Sequence, residues 1–196
     1  ETPLLNARRD LLPAMVFDSE ADIILLQEVW LTEDVERFVE AADTAGYVSH
    51  PTDRQGYNDG LAAFVRSEIV DGDVAADKAE YSVQDGLEFF PGPGIRRGFQ
   101  ALRFDHVELG DVLVANTHMQ AFSVSWQQRV QQSRELGQYV RDNGDEDTLV
   151  LVGGDLNAGP YYASNEWMLP DETVEDVWWN NTLSYPTLLE YGVLKE

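Results

Sequence analysis

Two short apolar runs, Ile23-Ile24-Leu25-Leu26 and Leu149-Val150-Leu151-Val152, constrain this chain more than any other feature. Neither is interrupted by a polar residue, so both faces of an extended strand built from them are apolar and both require cover. Each is also far shorter than the roughly 18 apolar residues a membrane span takes. Between and around them lie helical stretches, which predicts an α/β layered domain.

The expected elements follow from local signals. Residues 3–19 predict a helix with Leu4, Leu5, Leu11, Leu12, Met15 and Val16 on one broad face, and Pro13 as a kink or a second helix start. Thr32, Glu33 and Asp34 start a helix that Gly46 stops. Residues 47–50 and 61–66 read as strands around a polar loop, and 98–106 and 111–118 as strands joined by a Gly110-Asp111 turn. Residues 124–142 form the clearest helix, with Val130, Leu136, Tyr139 and Val140 able to share a face. Residues 148–153 predict a second buried strand, which Gly153 and Gly154 let the chain leave sharply. The acidic, turn-rich stretch 71–94 predicts no element. With no repeat or long linker, residues 1–196 read as a single domain.

Composition narrows the function classes. With 43% hydrophobic and 25% charged residues the chain is too apolar for disorder. The absence of cysteine excludes disulfides, thiolate metal sites and cysteine nucleophiles. Thirty-six acidic residues against 13 basic ones give a net charge of −23, and only Lys78 and Lys195 are lysines. Such a surface repels phosphate backbones at low salt and argues against coating nucleic acid. It suits a high-salt environment such as the cytoplasm of a halophile, or an acidic protein of an ordinary compartment. A soluble protein with no transmembrane segment and no obligate protein partner is expected.

Three polar clusters fall directly after strands, where side chains are held on rigid elements. Gln27-Glu28 ends the first apolar run, and a carboxylate there suits a hard divalent cation such as Mg²⁺ or, read as a plain strand end, points into solvent. In Asn116-Thr117-His118 the strand alternation puts Asn116 and His118 on one face, where the imidazole can donate to a phosphoryl oxygen or leaving group. In Gly153-Gly154-Asp155-Leu156-Asn157, Asp155 and Asn157 can face one cavity and orient a water for in-line attack, or simply form a turn.

Taken together, ADIILLQEVW, VLVANTHMQA and LVLVGGDLNAGP, in this order, resemble the endonuclease/exonuclease/phosphatase superfamily with the deoxyribonuclease I-like fold. Arg129 and Gln132 follow the usual Arg-x-x-Gln spacing, DGLAAFVRS and RGFQALRF fall where that family places central strands, and Asp176-Val177-Trp178 followed by residues 182–187 also matches. The resemblance implies two packed mixed β-sheets flanked by helices, a four-layer α/β sandwich with the site at one end. It implies Glu28 as the metal-binding carboxylate for Mg²⁺ (or Mn²⁺). Asp155 and Asn157 become the pair that positions the nucleophilic water and binds phosphate or metal, and His118 the donor to the phosphate or leaving group. Asn116 and the loop residues Asn58 and Asp59 would line the substrate cleft.

The implied activity is metal-dependent hydrolysis of a phosphoester, in a nucleic acid or a phospholipid head group, with wording slightly nearer the sphingomyelinase-like branch. Arg96, Arg97 and Arg103 offer the nearest positive group for such a substrate, and Trp126, Trp167, Trp178 and Trp179 are expected in the core or, as the alternative, against a lipid surface. The sequence departs from the family's pattern at both ends: the usual first strand ending in a metal-binding Asn and the last strand with its Asp-His pair are not found. Asp105-His106 lies in the wrong strand to replace that pair. A catalytically incomplete member acting as a binding or scaffold module is the alternative.

Overall fold

The computed structural model describes residues 3–52, 59–84, 95–158, 182–192 and 194. In chain order the elements are α1 (Pro3–Phe17), β1 (Ile23–Leu26), α2 (Thr32–Ala45), β2 (Tyr47–Pro51), β3 (Ala62–Arg66), β4 (Val70–Glu80), β5 (Gly98–His106), β6 (Gly110–His118), α3 (Trp126–Asn143), β7 (Leu149–Asp155) and α4 (Ser184–Gly192). One sheet has the order β1-β3-β2, all antiparallel, and the other β4-β5-β6-β7. Within the second sheet only β6 and β7 run parallel, as α3 crossing between them requires.

Strand alternation sorts the core into layers. Ile24, Ala62 and Phe64 face Phe17 of α1 and Ala42 of α2, whereas Ala63 and Val65 face Leu102, Phe104, Val112 and Val114 of the second sheet. The opposite face of that sheet sets Phe99 and Ala115 against Leu136 and Val140 of α3 and Leu188 of α4. The result is the helix–sheet–sheet–helix sandwich expected. Both faces of β1 are covered as its unbroken apolar run requires, with Ile23 and Leu25 packed on the inter-sheet cluster and Ile24 and Leu26 on the helix side.

Several elements differ from expectation. β7 continues through Gly153 and Gly154 to Asp155 instead of leaving the sheet at the glycines. Among the described residues it is also an edge strand, with Leu149 and Leu151 39% and 41% exposed. These two pair with Val112 and Val114 and share their inter-sheet face, but among the described residues the opposing sheet has three strands against four, so the last strand overhangs. Residues 70–80, left without an element above, form the eleven-residue strand β4. It is largely exposed and acidic, which fits an outer edge strand, and its ladder is irregular between Asp71 and Ala75. α1 runs through Pro13 without a break, yet Leu11 and Met15 are 60% and 64% exposed, so its apolar face is not the buried one. No helix among the described residues is long and apolar enough to cross a membrane.

Candidate active site

The C-terminal ends of β1, β6 and β7 meet at one end of the sandwich. The parallel ladder sets Asn116 beside Gly153 and His118 beside Asp155. Asn116, fully buried on the inter-sheet face, reaches across to the other sheet. Its amide nitrogen donates to the carbonyls of Leu26 (3.1 Å) and Ala62 (3.2 Å), and its oxygen accepts from the Gln27 amide at 2.7 Å. Gln100, its register partner on β5, donates likewise to the carbonyl of His50 at 2.5 Å. Two buried amides thus clamp the sheets together where the candidate residues lie. Asn116, expected in the substrate cleft, is buried here with both amide hydrogens on backbone carbonyls.

His118 is 2% exposed, and its Nε2 lies 3.6 Å from Oδ2 of Asp155. Burial, reinforced by the nearby Arg97 guanidinium and partly opposed by Asp155, depresses its pKa from the ordinary 6.5 to about 4. The imidazole is therefore neutral at pH 7. The other Asp155 oxygen accepts from the Asn157 backbone N–H at 2.8 Å, while the Asn157 side-chain amide donates to the Met119 carbonyl at 2.9 Å. The aspartate keeps its outer oxygen toward His118, and the asparagine is tied to the residue after His118. Close approach of the strands carrying the pair depends on Gly154, at φ +134°, where a Cβ would overlap the Thr117 carbonyl.

Glu28 follows Gln27 with φ +62°, and Asn157 has φ +47°; both are left-handed conformations that a non-glycine residue adopts at some cost. The Glu28 side chain is exposed, and the residue lines a hollow of about 430 Å³ together with Gln27, Leu26, Leu12, Phe38 and Arg8. The turn at Glu28 carries the chain into Trp30, whose ring centroid lies 6.1 Å from that of His118 and 6.0 Å from the Arg97 guanidinium carbon. Glu28 and Asp155 present hard oxygen donors, and among the described residues no three His, Asp or Glu side chains group as a metal cage. The hollow that Glu28 lines includes neither His118 nor Asp155, so the fit to a metal rests on the Glu28 carboxylate, a hard donor of the kind a largely hydrated Mg²⁺ takes singly or in pairs.

The sequence matches the model of the Endonuclease/Exonuclease/phosphatase family over residues 3–189. The chain belongs to this family. Members are hydrolases acting on phosphoesters. Among solved structures it is similar to ANGEL2, a 2′,3′-cyclic phosphatase, with TM-score 0.66 and 17% identity over 82% of this chain and 47% of that one. TDP2 from Caenorhabditis elegans gives 0.63 and 22% over 87% and 48%. The human Nocturnin catalytic domain, with bound sulfate anion, gives 0.59 and 20% over 80% and 58%. These likenesses carry the fold, and the chain spans about half the length of the structures it matches. No curated protein matches the sequence.

Other sequence motifs of this family member have structural roles. Arg129 and Gln132 lie buried on one face of α3. Arg129 donates to the carbonyls of Gln120 and Phe122, and Gln132 accepts from the Gln120 N–H, so the pair holds the loop that leaves His118. Asp59 is a buried loop staple, accepting from the Thr52 hydroxyl and the Leu61 N–H. The three arginines expected as a group are dispersed. Arg97 is buried beside Trp30 and His118, Arg96 pairs with Glu80, and Arg103 pairs with Asp111 farther along β5. His106 accepts from the Glu108 and Leu109 N–H groups in the hairpin turn at the opposite end of that strand. Trp126 is half-buried at the start of α3. Asn58, Trp167, Trp178, Trp179 and Asp176-Val177-Trp178 lie outside the described residues. Gln27 (named above only as the neighbour of Glu28), Trp30 and Gln100 also lie at this end of the sandwich. The first two adjoin Glu28 in QEVW, but their partners, distant in sequence, could not be read from the motif.

Proposed function

We propose that the chain is a divalent-metal-dependent phosphodiesterase whose working end is built from Glu28, His118, Asp155 and Asn157. The observation that carries this reading is the juxtaposition of His118 and Asp155 at adjacent strand ends, clamped by Asn116 and Gln27 to the strand that leads into Glu28. Glu28 would hold Mg²⁺ or Mn²⁺, which when bound polarises the phosphoryl group and offsets its developing charge. Asp155, fixed through its inner oxygen, would accept the proton of an attacking water, and Asn157 would orient that water in line with the scissile bond. His118, neutral at pH 7, would donate a hydrogen bond to a phosphoryl or departing oxygen, and as the scissile P–O bond breaks the departing oxygen would take its proton from solvent.

The dispersed arginines and the −23 net charge leave little basic groove for a long duplex, which favours a phospholipid head group or the end of a nucleic acid. The same charge favours a salt-rich setting, where screening relieves self-repulsion.

The test is hydrolysis of a generic phosphodiester, a short DNA duplex, a choline phospholipid and a phosphorylated inositol in one buffer, with Mg²⁺ and with chelator. Chelation should abolish turnover, and E28Q and D155N should each lower kcat on the order of a hundredfold or more while leaving the denaturation midpoint close to the parent's. Absence of hydrolysis and of Mg²⁺ or Mn²⁺ binding by the intact chain would overturn the reading and make the chain a binding or scaffold module.

A further inference from the structure

Trp30 belongs to none of the three core clusters and is only half-buried, yet its ring touches several parts of the site. Gly60 seats it: a Cβ at that glycine would lie 2.7 to 3.0 Å from Cζ3, Cε3 and Cη2 of the indole. Arg97 lies over the ring at 6.0 Å, and the His118 imidazole lies 6.1 Å away at a tilt of 37°. The backbone pins both sides of this arrangement. The Val29 N–H donates to the Gly60 carbonyl at 2.9 Å, and the Trp30 N–H donates to the Glu28 carbonyl at 3.0 Å. The loop bearing Gly60 is closed in turn by Asp59 on Thr52 and Leu61.

We infer that Trp30 is a positioning residue: seated on Gly60, its indole fixes the His118 imidazole and the Arg97 guanidinium relative to Asp155 and to the segment bearing Glu28. This rests on the phosphodiesterase reading above for its catalytic consequence. The physical reason is geometric. His118 and Arg97 come from the second sheet and from the segment leading into it, while Glu28 ends a strand of the first. A flat, rigid side chain of large contact area sets that separation more firmly than flexible polar contacts. Gly60 is required because a Cβ there would overlap the indole and force it out of this seat.

The test uses W30A, W30F and G60A in the full chain. The chain has three histidines, so the imidazole protons can be followed individually by NMR, with His118 assigned through its own replacement. A ring at this distance displaces the His118 resonances by its ring current, a signature that loss of stability alone would not remove selectively. W30A is expected to abolish that displacement while His50 and His106 keep theirs. On the generic phosphodiester it should lower kcat about tenfold to a hundredfold with KM within about twofold. W30F should recover most of the rate, and G60A should shift the His118 signals without altering the ring chemistry.

Unchanged His118 resonances in W30A, or in W30F and G60A if W30A does not fold, overturn the inference. So does a loss of kcat that W30F fails to rescue. Should the parent chain hydrolyse no phosphoester, the phosphodiesterase reading fails, and positioning is then read from the nuclear Overhauser contacts between the His118 imidazole and Asp155, whose retention in W30A overturns the inference.

Discussion

Replacing Asn116 with alanine tests the clamp at the working end directly. The buried side chain makes three hydrogen bonds between the sheets, two to backbone carbonyls and one from Gln27. At a net value of about 1 kcal/mol each, N116A should destabilise the fold by about 3 kcal/mol, and by more if the carbonyls of Leu26 and Ala62 are left bare. Q27A removes one of the three and should cost about 1 kcal/mol. For a chain of this size the alanine variant should unfold some 6 to 12 °C lower, taking about 2 to 4 °C per kcal/mol. Equilibrium urea denaturation followed by far-UV circular dichroism measures both variants. Because Asn116 couples the strand bearing His118 to the one leading into Glu28, N116A should also lower kcat when assayed well below its midpoint. Equal losses for N116A and Q27A, or a loss below about 0.5 kcal/mol for N116A, would refute the clamp.

Two further predictions concern the same end of the molecule. His118 has a folded-state pKa of about 4 against an ordinary 6.5, so between those values the unfolded chain binds the extra proton. In metal-free protein, stability should therefore be intact above pH 6.5 and fall by about 3 kcal/mol as pH drops through 4, with His50, also lowered by burial, adding in the same direction. Denaturation midpoints across that range should show the slope, and H118Q should flatten it; an unchanged slope in H118Q refutes the assignment. G154A should cost at least about 3 kcal/mol, since its Cβ would meet three backbone atoms of Thr117 at a φ of +134°, none of which can rotate away. G46A, at φ +81° with no atom within 4 Å, should cost about 1 kcal/mol. Equal denaturation losses for the two glycine variants would refute the close-approach reading.

Much of the architecture was legible because local sequence carries its own physics. The run at residues 23–26 demanded cover on both faces and has it, and α2 ends at Gly46 in the left-handed conformation that glycine adopts without cost. Alternation along β6 put Asn116 and His118 on one face and Thr117 on the other, where its hydroxyl meets that of Tyr81 at 2.7 Å. β4 escaped because Asp71, Gly72, Asp73, Ala75, Ala76 and Asp77 show no apolar period; pairing with β5 makes it a strand. The Leu149–Val152 run gave the right element and the wrong exposure, since the number of strands in the opposing sheet is not written in the run.

Sequence alone marked the candidates: Glu28, His118, Asp155 and Asn157 stand at or just beyond strand ends, and the resemblance to the family singles them out. Only tertiary structure decided which groups stand together. It placed Asn116 beneath the surface as a bridge between sheets, separated Arg97 from Arg96 and Arg103, and set Trp30 between Gly60 and His118. The reason is range. Strand and helix periodicity act over a few residues, whereas the bridge from Gln27 to Asn116 spans 89 positions and exists only once two sheets have packed face to face.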